Sequence, residues 1–226
     1  MKENRANIWL IRGKNRDILI DSGLGVCNLK NHLEKCKLLD PNHECIVILT
    51  HAHFDHSGGA HHFDNVLIHH DEYEGLTNAD ESLTLNWSES SHYHEQPYPE
   101  FNPYEYKVPP TKCKSIENGQ RINLSDDNDD YLEILHVPGH IPESILCYYP
   151  KKKALFSGDC IYECGHGSHL YDWTPKASIP DYLKSAKYII EWLNEHEIDN
   201  IYPGHYNKMN TIQVQKRLQE YIDSKG

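Results

Sequence analysis

The sequence is short of positive charge: 22 lysines and arginines face 34 aspartates and glutamates in 226 residues, a formal net charge of −12. Such a surface repels a phosphate backbone rather than collecting one, so nucleic acid is not an expected partner. No apolar run approaches the roughly 18 residues that cross a bilayer, and Met1-Lys2-Glu3-Asn4-Arg5 carries no signal-peptide block. A cytoplasmic location is the expectation. The seven cysteines are odd in number and include no CxxC pair, which suits isolated thiols in a reducing compartment better than a disulfide framework. Hydrophobic residues make up only 38% of the chain. Apolar runs such as Cys45-Ile46-Val47-Ile48-Leu49 nevertheless recur regularly, which excludes wholesale disorder.

Asn7 to Leu10 and Asp17 to Ile20 flank the polar turn Arg12-Gly13-Lys14-Asn15 and read as a β-hairpin. Residues 28–39 place Leu29, Leu33, Cys36 and Leu39 at helical spacing, and Pro41 ends the pattern. Glu44 to Leu49 and Asn65 to His69 predict strands, and the stretch from Ser57 to Phe63 a short helix. Downstream, Arg121 to Leu124, Tyr131 to His136, Ser144 to Tyr149, Ala154 to Ser157 and Ile198 to Tyr202 read as strands, with helices over 180–196 and 210–223. Residues 86–110, rich in proline and aromatics, predict a lid or substrate-lining loop.

The chain holds 17 histidines, so histidine alone proves nothing. The stretch THAHFDHSGG differs from the rest. Past the end of a strand, His51 and His53 stand two apart and face the same side, while Asp55 and His56 follow after one spacer, where the chain turns through Ser57-Gly58-Gly59. Three more ligand-type residues stand after apolar runs and beside a glycine: His140 in HVPGHIPES, Asp159 in LFSGDCIY and His205 in IYPGHYN. Imidazole and carboxylate are ligands that zinc, iron and manganese all accept.

These motifs, with ILIDSG at 18–23, run in the order HxHxDH, His, Asp, His, and the chain so resembles the metallo-β-lactamase superfamily over essentially its whole length, 1–226. The resemblance implies an α+β fold, the αβ/βα sandwich of two mixed sheets with outer helices. It implies two divalent ions, zinc first among them. His51, His53 and His140 would hold one, Asp55, His56 and His205 the other, with Asp159 bridging and Asp21 supporting the ligand loop. Such a pair activates a water for hydrolysis, and Asp55 would orient that water or pass its proton to the leaving group.

Through NRANIWLIRG, DILIDSGLG, YDWTP and YPGHYN the chain also resembles a eukaryotic branch of acyl-CoA thioesterases. That likeness implies a small-molecule thioester as substrate and a place in fatty-acid metabolism. It leaves a glyoxalase-like hydrolase of glutathione thioesters, a lactamase-like amide hydrolase, and a metal-binding protein without turnover as alternatives. Those relatives carry a further N-terminal strand and a C-terminal tail with a lipidation cysteine, which leaves a sheet edge open here and membrane anchoring unsupported. Oligomeric state is not legible. Lys151, Lys152 and Lys153 are candidate contacts for CoA phosphates or simply a charged turn; Cys160 is a candidate ligand or a packed thiol; Tyr162 and Tyr206 are oxyanion contacts or core.

Overall fold

The computed structural model describes residues 5–83, 99–102, 105–163 and 170–226. Its first half forms a five-stranded sheet. β1 (Trp9–Arg12) and β2 (Arg16–Ile20) make the expected hairpin, and β3 (Glu44–Ile48), β4 (Asn65–His69) and β5 (Lys114–Ile116) follow in that order, all parallel to β2. The second half forms another five-stranded sheet in the order β10-β9-β8-β7-β6. Its strands are β6 (Arg121–Asn123), β7 (Tyr131–His136), β8 (Ile145–Tyr149), β9 (Ala154–Gly158) and β10 (Asn200–Pro203), with only the β9–β10 pair parallel.

The inner strands of both sheets are covered on both faces, so β2, β3, β8 and β9 are mostly apolar, whereas β5, β6 and β7 carry polar residues between buried ones. In β2 the pleat sends Ile18 and Ile20 to the layer between the sheets, where they meet Ile134, Ile145 and Phe156. Leu19 points the other way, to a layer shared with Leu33 of α1 (Leu29–Lys35), Phe54 of α2 (Phe54–Ser57) and Leu76 of α3 (Tyr73–Asn78). The outer face of the second sheet packs on α4 (Ile179–Glu195) and α5 (Thr211–Lys225) through Ile189, Trp192, Leu193, Val214 and Leu218. Each such fully buried aliphatic contributes about 1.5–3 kcal/mol. The four layers are helix, sheet, sheet, helix, as the resemblance implied.

Two local expectations need correction. The first helix stops at Lys35 rather than Leu39, because Lys37 takes a left-handed conformation with φ 55°. The helix expected to begin at Ser57 begins instead at Phe54, and Ala60–His62 is a separate 3-10 turn. Asp55 and His56 thus stand on a helical turn. Among the described residues no helix is long and apolar enough to cross a membrane.

Candidate metal centre

All seven ligand-type residues lie at one edge of the two sheets, on the segments that follow β3, β7, β9 and β10. His51 and His53 follow β3, and His53 opens the one-turn helix that carries Asp55 and His56. His140 follows β7, Asp159 follows β9 and His205 follows β10. Two glycines make the convergence possible. Gly158 has φ +49° at the end of β9, where a Cβ would meet Thr50 Cβ at 2.6 Å. A Cβ on Gly204 would stand 2.3 Å from Asp159 Oδ1 and 2.8 Å from His56 Cε1, so β10 can approach the cluster only there without a side chain.

The ligand atoms of His51, His53 and His140 lie within 4.8 Å of one another, as do those of Asp55, His56 and His205 and those of His51, His56 and Asp159. His140 Nε2 and His53 Nδ1 are 3.0 Å apart, and His56 Nε2 and His205 Nε2 3.3 Å. Asp159 sits between the groups. Its Oδ1 is 3.2 Å from His56 Nε2, and its Oδ2 is 3.3 Å from His205 Nε2, 3.8 Å from His140 Nε2 and 4.0 Å from His51 Nε2. Asp55 Oδ2 stands 3.3 Å from His205 Nε2.

The two groups titrate in opposite directions. Burial lowers His51, His53 and His140, His53 to about 3, with neighbouring histidines adding to the effect. Burial also opposes charge on His56 and His205, but Asp159 and Asp55 outweigh it, holding His56 well above its ordinary value and His205 up at about 10. Burial would raise the carboxyl of Asp159, yet His205 and His56 keep it well below the carboxylate range. Without an ion, protons therefore balance the carboxylates on one side, while the other side offers neutral imidazoles. His51 Nε2 is buried without a hydrogen-bond partner, a cost that an ion in the cluster would remove. The donor set of imidazole nitrogens and carboxylate oxygens fits a pair of divalent cations.

The positions of these rings are fixed from behind. Asp21, in a strained left-handed conformation with φ 62°, accepts from Thr50 N at 2.8 Å and lies 2.9 Å from His56 Nδ1. Thr50 Oγ1 bridges Asp21 Oδ2 at 2.9 Å and His51 Nδ1 at 3.1 Å. His140 Nδ1 lies 2.9 Å from the Tyr171 carbonyl, while Thr174 Oγ1 donates to the His140 carbonyl at 2.9 Å. Such outer contacts set ring orientation and tautomer.

The structure brings the seven expected ligand-type residues and Asp21 together, and adds supports that the sequence did not mark. Asn7 Nδ2 donates to the carbonyls of Pro203 and Tyr206 at 3.0 and 2.9 Å, stapling the turn that carries His205. The buried carboxyl of Glu143 feels the charge of Glu72, whose Oε2 receives Lys176 Nζ at 3.1 Å. Burial, then Glu72, raises Glu143 above its ordinary 4.5. No periodicity and no local motif marks these partners.

Other candidates resolve differently. Cys160 is buried, its Sγ donating to the Val137 carbonyl at 3.5 Å, and it packs with the α4 and α5 layer. It is a core thiol rather than a ligand. Lys151 pairs with Asp130 at 2.6 Å and Lys153 with Glu197, in the turn before β9. Five residues of strand, at about 3.3 Å each, separate that turn from Asp159, so the lysines belong to the opposite end of the sheet. Tyr162 is fully buried, its ring 5.8 Å from that of His205. Tyr206 is partly buried, its ring 5.6 Å from that of Tyr162. Much of the loop at 86–110 falls outside the described residues; of the rest, Phe101 and Val108 are buried and Tyr106 OH donates to the Leu24 carbonyl at 2.5 Å.

Comparison with known proteins agrees with this geometry. The profile of the metallo-beta-lactamase superfamily matches residues 1–205. The chain belongs to the metallo-beta-lactamase superfamily. Within it, the chain is 35% identical over 232 residues to the acyl-coenzyme A thioesterase MBLAC2 of Homo sapiens, covering 99% of this chain and 81% of that protein. Among solved superfamily structures, the metallo-beta-lactamase family protein TTHA1429 from Thermus thermophilus superposes with a TM-score of 0.68 at 19% identity, covering 97% of this chain and 74% of that one. A di-iron-bound form of TTHA1623 gives a TM-score of 0.63 at 22% identity, covering 94% and 93%. At these identities the two structures bear on the fold alone.

Proposed function

We propose that this chain hydrolyses acyl-CoA thioesters with two divalent metal ions, zinc being the first choice. The observation that carries the hydrolytic reading is the position of Asp159, whose two oxygens reach His56 on one side and His205, His140 and His51 on the other. His51, His53 and His140 would hold one ion, Asp55, His56 and His205 the second, with Asp159 shared. Ions held by these residues would supply an activated water for hydrolysis and would polarise the thioester carbonyl.

The chain's own groups divide the remaining work. The burial that keeps His51, His53 and His140 neutral leaves their lone pairs free at neutral pH. Asp55 is the catalytic residue of this reading. Its side chain is 25% exposed, whereas that of His56 is sealed at 0%, so its carboxylate meets the solvent side of the cluster and can take a proton from water and pass it to the departing thiolate. Tyr171, whose carbonyl meets His140, has its ring 5.3 Å from that of Trp173 and tilted by 42°, and Trp173 is 66% exposed. That aromatic step adjoins the centre and offers a surface to the organic part of a thioester.

The choice of acyl-CoA over other thioesters is supported by the likeness to MBLAC2 along almost the whole chain. Thiol release from palmitoyl-CoA, measured beside S-lactoylglutathione and a chromogenic cephalosporin, tests it. Palmitoyl-CoA is expected to give the highest kcat/KM. Fully metal-loaded protein inert on palmitoyl-CoA would overturn the assignment, and faster turnover of S-lactoylglutathione would transfer it to the glutathione thioesters.

A further inference from the structure

A second group of metal-ligating side chains lies where β4 ends, sharing no residue with the centre above. His69 is the last residue of β4, and His70 and Asp71 begin the 3-10 turn His70–Glu72. The abrupt passage from strand to turn brings three consecutive side chains to one point. Their ligand atoms lie within 4.8 Å of one another. His70 Nε2 is 2.9 Å from Asp71 Oδ1, and His69 Nδ1 is 3.4 Å from Asp71 Oδ2.

An ordinary ion pair between His70 and Asp71 explains only part of this. His69 is 2% exposed, and its Nδ1 is buried with no hydrogen-bond partner while directed at the Asp71 carboxylate. Native proteins rarely leave such an atom unmatched. The ring is not free to turn elsewhere, because His136 of β7 stacks on it with centroids 4.0 Å apart and an angle of 16°. His136 is fixed in turn, its Nε2 2.7 Å from the Pro142 carbonyl. Glu117, just past β5, adds negative charge beside the group, its Oε2 3.8 Å from His70 Nδ1.

We propose that His69, His70 and Asp71 form an accessory site for a late first-row divalent cation such as zinc, nickel or copper. Two imidazoles and a carboxylate suit that class and not magnesium or calcium, which prefer oxygen alone. The buried, stacked His69 supplies the preorganised ligand, and the exposed His70 and Asp71 admit the ion from solvent. The same 3-10 turn ends in Glu72, whose Oε2 receives Lys176 Nζ at 3.1 Å.

Zinc titration of metal-stripped protein by calorimetry, repeated with His70→Ala and Asp71→Asn, tests the site. The wild type is expected to bind one equivalent more than His70→Ala, and Asp71→Asn to bind that last equivalent at least about tenfold more weakly. Both side chains are exposed, and circular dichroism checks that the variants fold. Histidine ring NMR gives the second readout: the final equivalent should shift His69 and His70 and leave His51 and His53 unmoved. Equal stoichiometry and affinity in all three proteins, or final shifts confined to the histidines of the main centre, would overturn the proposal. Because both variants keep all seven ligands of that centre, thioesterase activity is judged separately.

Discussion

The two halves of the centre are built from nearly the same residue types, yet burial lowers the proton affinity of one set of histidines while carboxylates raise that of the other. His51, His53 and His140 are pushed down by burial, whereas His56 and His205 are held up by Asp159, Asp55 and, for His56, Asp21. The difference comes from where the carboxylates stand. It teaches that a metal must enter the two halves by different routes, meeting free lone pairs in one and displacing protons in the other.

The severest way to break the comparison is to remove the residue common to both halves. Asp159→Ala should lower kcat/KM by about 10³-fold or more, the scale of losing several kcal/mol of charge stabilisation. Elemental analysis should find fewer ions per chain. Next come the halves taken singly. His53→Ala keeps His56 and His205, whose proton affinity the carboxylates raise, so zinc binding to it near pH 7 should release protons. His205→Ala keeps the neutral half and should release clearly fewer. Calorimetry in buffers of different ionisation enthalpy reads this directly, and equal release in the two variants would erase the distinction between the halves.

A smaller effect is expected behind the ligands. Asp21→Asn removes the negative partner of His56 and should weaken metal binding about 10–100-fold, read by chelator competition. The least effect on catalysis is expected at Glu143, which should instead show itself in stability. Its folded value lies above the ordinary 4.5, so its contribution to stability is fully present below that pH and is lost as pH rises toward the raised folded value. Glu143→Gln should therefore lose less stability than the wild type between pH 5 and pH 9. Parallel denaturant curves with the same fall in both proteins would contradict that.

The strands were legible from their apolar runs: Tyr131–His136 and Asn65–His69 stand where those runs put them. The grouping of the seven ligand-type residues was legible because each stands in a segment that follows such a run and so reaches the shared edge. What the chain concealed is tertiary. Nothing near Asn7 announces that it closes the turn of His205, and nothing near Glu72 announces Lys176 or Glu143. The start of α2 at Phe54 was hidden because a one-turn helix has too few residues to show a period. Lys151 to Lys153 stayed open between a phosphate contact and a charged turn because a charge run says nothing about which end of a strand it occupies.

The central claim is that these seven side chains hold the ions on which thioester hydrolysis depends. It is tested most directly by stripping the protein with a chelator, reloading it stepwise with zinc, and following thiol release from palmitoyl-CoA against ions bound per chain. Activity should vanish in the stripped protein and return as the two halves fill. Undiminished cleavage by protein in which elemental analysis finds no metal would contradict it.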